Sequence, residues 1–540
     1  MATAQLAGLI GPQLSTHLTG QPTVTSLAVA DPGGLIQSVD WVAVAPPLIA
    51  AAAGLAVLVA DLFLPERRKR LLGWFSVAGL ALAVLALLPL TGGAPRATFC
   101  LQDVPAAAGG CSYVADHFAL VFQLLALGGA LIAALLSVHT VDAEAPTGGP
   151  ATGLPRGEYW FLLLSSAAGA ALLPAARDLA TLVVALEVAS LPAFALVALR
   201  RDGRGAEAAL KFFLSSVTAT AVMLMGVGFV YAATGSLHLG VIADALPQAP
   251  GQLKPMAEAG AVLVLVGFAF KVAVVPFHFW VPDTYVGAPL PVAGYLSVVG
   301  KAAGLSGLAL VTSVGFRPYG HSWGLVLAVL AALTMTAGNV AALRQRSDTE
   351  YGAVRLLAWS SVAQAGYLLV PIAAAGYTEG AGPLGATAAY GLIYGVVNLG
   401  AFAVAAVVSR SGGRLDDYRG LYARRRWTAL ALAFFLLCLA GLPPGVIGLF
   451  GKVVVFRAAV DAGLGWLAVV MAVNVVIALF YYLLWTAKLF LPGPQEAEQA
   501  PRARRLPAPL TATLALTASV AVVLSVAPQL VLQVAGGSLF

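Results

Sequence analysis

The sequence predicts an all-α polytopic membrane protein of about fourteen transmembrane helices. Three observations carry this. Of 540 residues, 60% are hydrophobic and 10% charged, with a mean hydropathy of +0.90, whereas a soluble domain carries about 25% charged residues. The apolar residues gather in stretches close to the roughly 20 that a helix needs to cross a bilayer. The basic residues lie in short loops between those stretches. That pattern sets membrane orientation, so the net charge of +6 is not read as nucleic-acid binding.

Taken in order, residues 1–41 form a polar extension and the entry to the first span. Residues 42–140 hold three spans, at 42–63, 72–91 and 116–139. Residues 158–313 hold five, at 158–175, 178–199, 206–233, 257–280 and 287–313. Residues 322–491 hold five more, at 322–343, 351–377, 384–409, 427–459 and 464–491. Residues 492–540 form a cytoplasmic linker and a last span at 508–531. An odd number of helices inverts a second copy of a unit. Spans 4–8 and 9–13 are therefore expected to be two inverted five-helix repeats, with spans 7 and 12 in equivalent places. Both carry a helix break. Pro276 follows Lys271 in span 7, and Pro443, Pro444 and Gly445 precede Lys452 in span 12. Proline removes a helical hydrogen bond and clashes with the preceding turn. Broken helices at membrane depth line protein or water and mark ion paths.

The basic residues test the topology. Loops after odd-numbered spans hold twenty-one of the 30, among them the RRKR run from Arg67 to Arg70. The opposite loops hold five: Arg96, Arg177, Lys254, Arg317 and Arg457. The positive-inside rule puts the odd loops in the cytoplasm and both termini outside. Cys100 and Cys111 then share one outer, oxidising loop, where a disulfide is expected, with two free thiols as the alternative. Cys438, inside an apolar run, reads as a buried small hydrophobe. The sequence has no CxxC pair, Cys/His cluster or nucleotide-binding glycine fingerprint, so it suggests no iron–sulfur, zinc or nucleotide site.

The remaining basic residues lie within spans, and all are lysines: Lys211, Lys271, Lys301 and Lys452. The chain otherwise prefers arginine, 23 against 7. Guanidinium stays charged, whereas a buried ammonium can release its proton. An ionised group at a helix centre costs about 2.5–3.5 kcal/mol on insertion scales, so each of these positions calls for a function. Glu187, near the middle of span 5, is the expected partner of a lysine from another helix, and a pair that opens and closes is a proton switch. Lys211 is near enough to its helix end for snorkelling to be the competing reading. His278 is read as a proton relay, with capping of the broken helix as the alternative. Asp61 is expected to partner the arginines of the RRKR run. Tyr481 and Tyr482 are expected to pack or to sit in an interfacial belt.

These residues also resemble a known family. The stretch VVPFHFWVPDTYVGAPLPVAGYLSVVGKAAG, with ALEVASLPAF, EAALKFFLSS, WSSVAQAGYLL and LAGLPPGVIGLFGK, resembles subunit N of the bacterial proton-translocating NADH:quinone oxidoreductase, respiratory complex I. This is an antiporter-like subunit, and the likeness runs from about residue 42 to 531. The resemblance implies proton translocation through Glu187, Lys211, Lys271, Lys301 and Lys452 in a bacterial cell (plasma) membrane, to which the reading of the residues adds His278. It implies no cofactor in this chain, with NADH, FMN, iron–sulfur clusters and quinone in partner subunits. It also implies contact with other membrane-arm subunits, including sister antiporter-like subunits, and with the lipid bilayer. Gln364 departs from the family pattern, which usually has histidine there, so a relay at that point must use water or another side chain. A subunit of a multi-subunit sodium/proton antiporter and a purely structural membrane-arm subunit are the alternatives.

Overall fold

The computed structural model describes residues 39–101, 110–143, 154–200, 202–378, 382–409, 413–493, 506–536 and 539. The N-terminal extension to residue 38 and residues 494–505 of the linker lie outside the described residues, as do Arg201 and Arg410. Among the described residues, twelve helices are long and apolar enough to cross a membrane, and the chain is a multi-pass membrane protein. Helices are the physical answer to this composition, because hydrocarbon offers no partner to an unpaired backbone N–H or C=O.

The first three spans fold as Trp41–Phe63, Arg70–Leu85 and His117–Ala143. The helices at expected spans 4–6 are Arg156–Leu172, which at 17 residues is not among the twelve, Leu179–Ala198 and Gly203–Thr234. The sharp joint between spans 4 and 5 ends at Asp178, whose Oδ1 accepts the amide of Thr181 at 2.8 Å and so caps span 5. Spans 8–11 are 290–315, Gly320–Leu343, Gly352–Ala374 and Leu384–Val408. Span 13 is Gly465–Phe490 and span 14 is Ala508–Val526. A short further helix, Gln529–Gly536, follows Pro528. Spans 8 and 10 are almost wholly buried, and spans 3 and 11 largely so. Around them spans 1, 2, 5, 6, 9, 13 and 14 turn large apolar side chains outward, Leu62, Val184, Val329, Val476 and Phe480 among them.

Spans 7 and 12 break where expected, around Pro276 and around Pro443 to Gly445. Lys254–Val272 stops at Ala273, which adopts a left-handed φ of 67°. The chain then turns through Val274–Phe279 and resumes as Trp280–Gly287. Span 7 therefore extends to 287 rather than 280, and its break falls in the interior. In span 12, Arg426–Ala440 stops at Gly441, with φ 84°, and Val446–Asp461 resumes. A Cβ on Gly448 would overlap the carbonyl oxygen of Cys438, so glycine lets the second half-helix lie directly on the first. Cys438 is buried and free, as expected.

Contacts between loops divide the molecule into two sides, one of which gathers loops that follow odd-numbered spans. Glu66 O accepts from Arg156 at 3.3 Å, Arg204 pairs with Glu350 at 3.2 Å and Lys488 with Asp416 at 2.5 Å. All of these lie on the arginine-rich side. On the other side the amide of Arg177 donates to Ser112 O at 2.9 Å, and Ser112 Oγ lies 3.4 Å from His238 Nε2. Asp40 pairs with Arg96 at 3.0 Å and the amide of Phe118 donates to Leu539 O at 3.0 Å, so both ends of the described chain lie on that second side. There the expected loop is a hairpin: Arg96–Cys100 pairs antiparallel with Cys111–Ala115, and Cys100 is disulfide-bonded to Cys111. Its Tyr113 hydroxyl donates to Ala43 O at 3.0 Å and accepts from Gln123 at 3.1 Å. Asp61 partners Lys69, at 3.2 Å, rather than an arginine of the RRKR run.

Candidate functional site

Lys271 closes the first half of span 7 and is 7% exposed. Its Nζ donates to Ser190 Oγ at 2.8 Å and to Ser216 Oγ at 2.6 Å, and lies 3.9 Å from Glu187 Oε1. Glu187 in turn accepts from Thr220 Oγ1 at 2.6 Å. The expected pair forms, but loosely: hydroxyls take the short contacts, and the carboxylate stands at the edge of ion-pair distance. Helix geometry explains the assembly. Ser190 follows Glu187 by three residues and so shares its face of span 5, while Ser216 and Thr220 lie four apart on span 6. The Phe194 ring lies 5.6 Å from the ammonium. A small cavity of about 30 Å³, bordered by Lys271, Ser166, Ser190, Tyr295 and Gly300, separates Lys271 from span 8. That is room for a water.

Lys301 sits at the centre of the molecule, 1% exposed. Its Nζ donates to the backbone oxygen and the Oγ of Ser361 in span 10. No carboxylate lies within ion-pair distance of it among the described residues. Ser361 Oγ also lies 3.0 Å from the Tyr394 hydroxyl and 3.4 Å from the Tyr285 hydroxyl. One residue earlier, Ser360 Oγ lies 2.6 Å from the Tyr482 hydroxyl. Gln364 joins two tyrosines: its Oε1 accepts from Tyr390 at 2.5 Å, and its Nε2 donates to Tyr482 at 3.4 Å. Tyr481 donates to Asn339 Oδ1 at 3.0 Å. Both tyrosines are buried in this polar seam rather than placed in a belt, because their face of span 13 meets spans 9 and 10.

Lys452 is 6% exposed and stands nearly two turns into the second half of span 12. It reaches back across the break and donates to Leu439 O at 2.7 Å and Ala440 O at 2.8 Å. These are terminal carbonyls of the first half-helix, where a cation meets the negative end of the helix dipole. The Tyr367 ring lies 5.7 Å from the ammonium.

Two expected site residues lie elsewhere. Lys211 is half-exposed on the arginine-rich side and pairs with Glu207 at 2.7 Å and Asp283 at 2.9 Å. It lines a wide pocket of about 390 Å³ with Arg204, Glu350 and Tyr351. Its charge is solvated by carboxylates, so it is not one of the dry lysines. His278 lies in the turn between the halves of span 7, its ring 5.5 Å from that of Trp359. The resuming half-helix has no side-chain cap, so His278 does not cap it. Among the described residues no group of three His, Cys, Asp or Glu is placed to hold a metal ion. Sequence reading missed Ser190, Ser216, Thr220, Ser361 and Tyr394. Only Ser190 carried a signal, its helical spacing from Glu187; single hydroxyls in apolar helices are otherwise too common to stand out.

A half-buried carboxylate, three buried lysines and two broken helices on one bundle define an antiporter-like membrane subunit. Residues 176–478 match the family described as NADH:quinone oxidoreductase/Mrp antiporter, TM. The chain is 63% identical to NADH-quinone oxidoreductase subunit N 2 of Streptomyces griseus, over 97% of this chain and 99% of that protein. It is 44% identical to NADH-quinone oxidoreductase subunit N of Salinispora tropica, over 84% and 86%. Among solved structures it resembles a chain of respiratory complex I from Thermus thermophilus at 33% identity and TM-score 0.72, covering 91% of this chain and 100% of that one. The fold is shared with a chain of the Mrp complex from Dietzia, at TM-score 0.76 and 22% identity, covering 91% and 96%. The chain belongs to the subunit N family of the NADH-quinone oxidoreductases.

Proposed function

We propose that this chain is a translocase subunit that moves protons across a bacterial plasma membrane and holds no redox centre. NADH, FMN, iron–sulfur clusters and quinone are bound by partner subunits. The arginine-rich side faces the cytoplasm and both termini face outward, in agreement with the positive-inside rule and with a disulfide on the outer side. The observation that carries the proposal is the burial of Lys271, Lys301 and Lys452 with hydroxyl and carbonyl partners. Such partners accept hydrogen bonds from an ammonium without fixing its charge, so a proton can leave when the local field changes.

In this reading the pocket around Lys211 is the mouth through which protons enter. Charge movement in neighbouring subunits opens or closes the Glu187–Lys271 gap. The proton then passes through Lys301 and the Ser360–Gln364–tyrosine seam to Lys452 and leaves outward, with His278 serving the turn of span 7. Gln364 cannot titrate, and its amide holds two tyrosine hydroxyls that flank the route. The two five-helix groups act as inverted repeats, with spans 7 and 12 as equivalent broken helices among fourteen crossings. A sister subunit covers the Glu187 face, where the carboxylate is 22% exposed beside outward-facing Val184, Val188 and Leu191. Lipid does not solvate such a group.

The test is NADH-driven acidification in vesicles that carry the whole complex. Lys271→Ala is expected to assemble with the peripheral subunits and to lose pumping through this subunit. Normal pumping by that variant would leave only a structural role. Co-purification without iron–sulfur subunits, together with sodium-dependent transport, would favour the antiporter alternative.

A further inference from the structure

A break in a membrane helix frees amides that hydrocarbon cannot satisfy, so each must be traced to an acceptor. In the span 12 break the amides of Leu442, Gly445 and Val446 donate to Leu437 O, Leu442 O and Pro444 O, all within the same span. In the span 7 break the amides of Ala273 and Val274 likewise return to their own half-helix, to Phe270 O at 3.0 Å and Ala269 O at 2.9 Å. The next amide does not. Val275 precedes Pro276, which has no N–H of its own. The Val275 N–H leaves the span and donates to Thr334 Oγ1 of span 9 at 3.0 Å.

Thr334 is fully buried, and its hydroxyl is oriented. It donates to Leu330 O, one turn back, at 2.5 Å, so a lone pair is left for the Val275 amide. The helix that carries it is braced on two sides. Against span 10, a Cβ on Gly338 would overlap the amide of Ala363, and one on Gly366 the amide of Met335, so the two backbones touch. Against span 13, Asn339 Nδ2 donates to Asn474 Oδ1 at 3.0 Å, and Asn474 Nδ2 donates to Thr336 Oγ1 at 3.0 Å. The end of the half-helix that bears Lys271 is thus held from two directions. Hydroxyls of spans 5 and 6 hold its ammonium, and span 9 holds its main chain four residues further on.

We propose that Thr334 is a positioning residue for proton transfer at Lys271. Its hydroxyl pins the main chain beside the break to span 9, so that a change of charge at Glu187 moves the lysine side chain and not the end of the half-helix. This rests on the reading of Lys271 as a proton carrier. Thr334 acts on that carrier through the main chain of residues 271–275. Without the hydroxyl the end of the half-helix follows the side chain, the separation from Glu187 no longer changes, and NADH oxidation continues while pumping slips.

The experiment uses the intact complex in vesicles. Acidification, NADH oxidation and hydrogen exchange of the Val275 amide are measured on Thr334→Val, Thr334→Ser, Lys271→Ala and Thr517→Val. Thr517 serves as the control, because it is equally buried and its hydroxyl bonds only within its own span. Thr334→Val is expected to assemble, to oxidise NADH and to lose most of the pumping that Lys271→Ala loses. Its Val275 amide should exchange about tenfold faster, as the loss of one hydrogen bond predicts. Thr334→Ser keeps the hydroxyl and should restore both, and Thr517→Val should match the unmodified complex. If Thr334→Val speeds exchange yet pumps fully, or if Thr334→Ser pumps as poorly as Thr334→Val, the positioning role is overturned and the carrier role of Lys271 stands. An equal pumping defect in Thr517→Val would overturn it too, by showing that loss of any buried hydroxyl suffices. If Lys271→Ala itself pumps normally, the carrier reading fails and this inference falls with it. Should Thr334→Val not assemble, Thr334→Ala and the unmodified complex decide: full pumping by the first, or a Val275 amide that exchanges as fast as an exposed loop in the second, overturns the role.

Discussion

The two broken helices hold their lysines in opposite ways. In span 7 the lysine precedes the break and is bound by side chains of other helices: Ser190 and, at longer range, Glu187 from span 5, and Ser216 from span 6. In span 12 the lysine follows the break and is bound by main-chain carbonyls of its own span. Motion between spans 5, 6 and 7 therefore changes the surroundings of Lys271 directly. The hydrogen bonds of Lys452 change only if the break itself changes shape. The first arrangement suits a sensor of neighbouring elements and the second a fixed station with one geometry. The backbone around each break agrees. Ala273 is held at a positive φ that costs an alanine energy, whereas Gly441 takes the same region freely.

The largest expected effect tests the rigid half of this contrast. Gly448→Ala forces a methyl into the Cys438 carbonyl and should cost about 3 kcal/mol or more, read as loss of the assembled complex on a native gel. A variant of normal stability would show that the span 12 break is soft. Next, Lys271→Arg and Lys452→Arg each keep a charge that does not titrate. Both should block pumping, but Lys452→Arg should also lower thermal stability, because the larger head must fit against two fixed carbonyls. Equal stability of the two variants would erase the distinction.

A smaller effect is expected from Ser190→Ala combined with Ser216→Ala. Each removes a hydrogen bond to a charged group, about 1.5–3 kcal/mol, and leaves Lys271 with Glu187 alone. Pumping should slow without loss of assembly, and a subsequent Thr220→Val should slow it further by loosening the carboxylate. The smallest effect belongs to Lys211→Gln. Its half-exposed ion pairs are solvated, so assembly should be unchanged and the pumping rate only modestly reduced. A block as complete as that of Lys271→Ala would place Lys211 among the indispensable carriers.

Much of this was legible in the chain itself. Span positions, the two breaks, the separation of loops by charge and the pairing of Cys100 with Cys111 all follow from local features. Apolar length, proline and the placement of arginines act over a turn or a loop, and need no knowledge of what packs where. The choice of lysine over arginine at membrane depth was also visible residue by residue. Other features depended on which faces meet. The gap between Glu187 and Lys271 is set by hydroxyls on two helices. The carbonyls that hold Lys452 come from a fold-back across Gly441 to Gly445. The carboxylate that holds Lys211 was not legible because Asp283 lies seventy-two residues away. Tyr481 and Tyr482 pack, one of the two placements expected, but the polar partners of their hydroxyls lie on other spans. The sequence by itself thus determined which stretches cross the membrane and which charges go with them, since hydrophobic length and helix breaking are local costs. Only the tertiary structure decided which of those charges are dry and what holds them, since a hydrogen bond between spans depends on two surfaces being brought together.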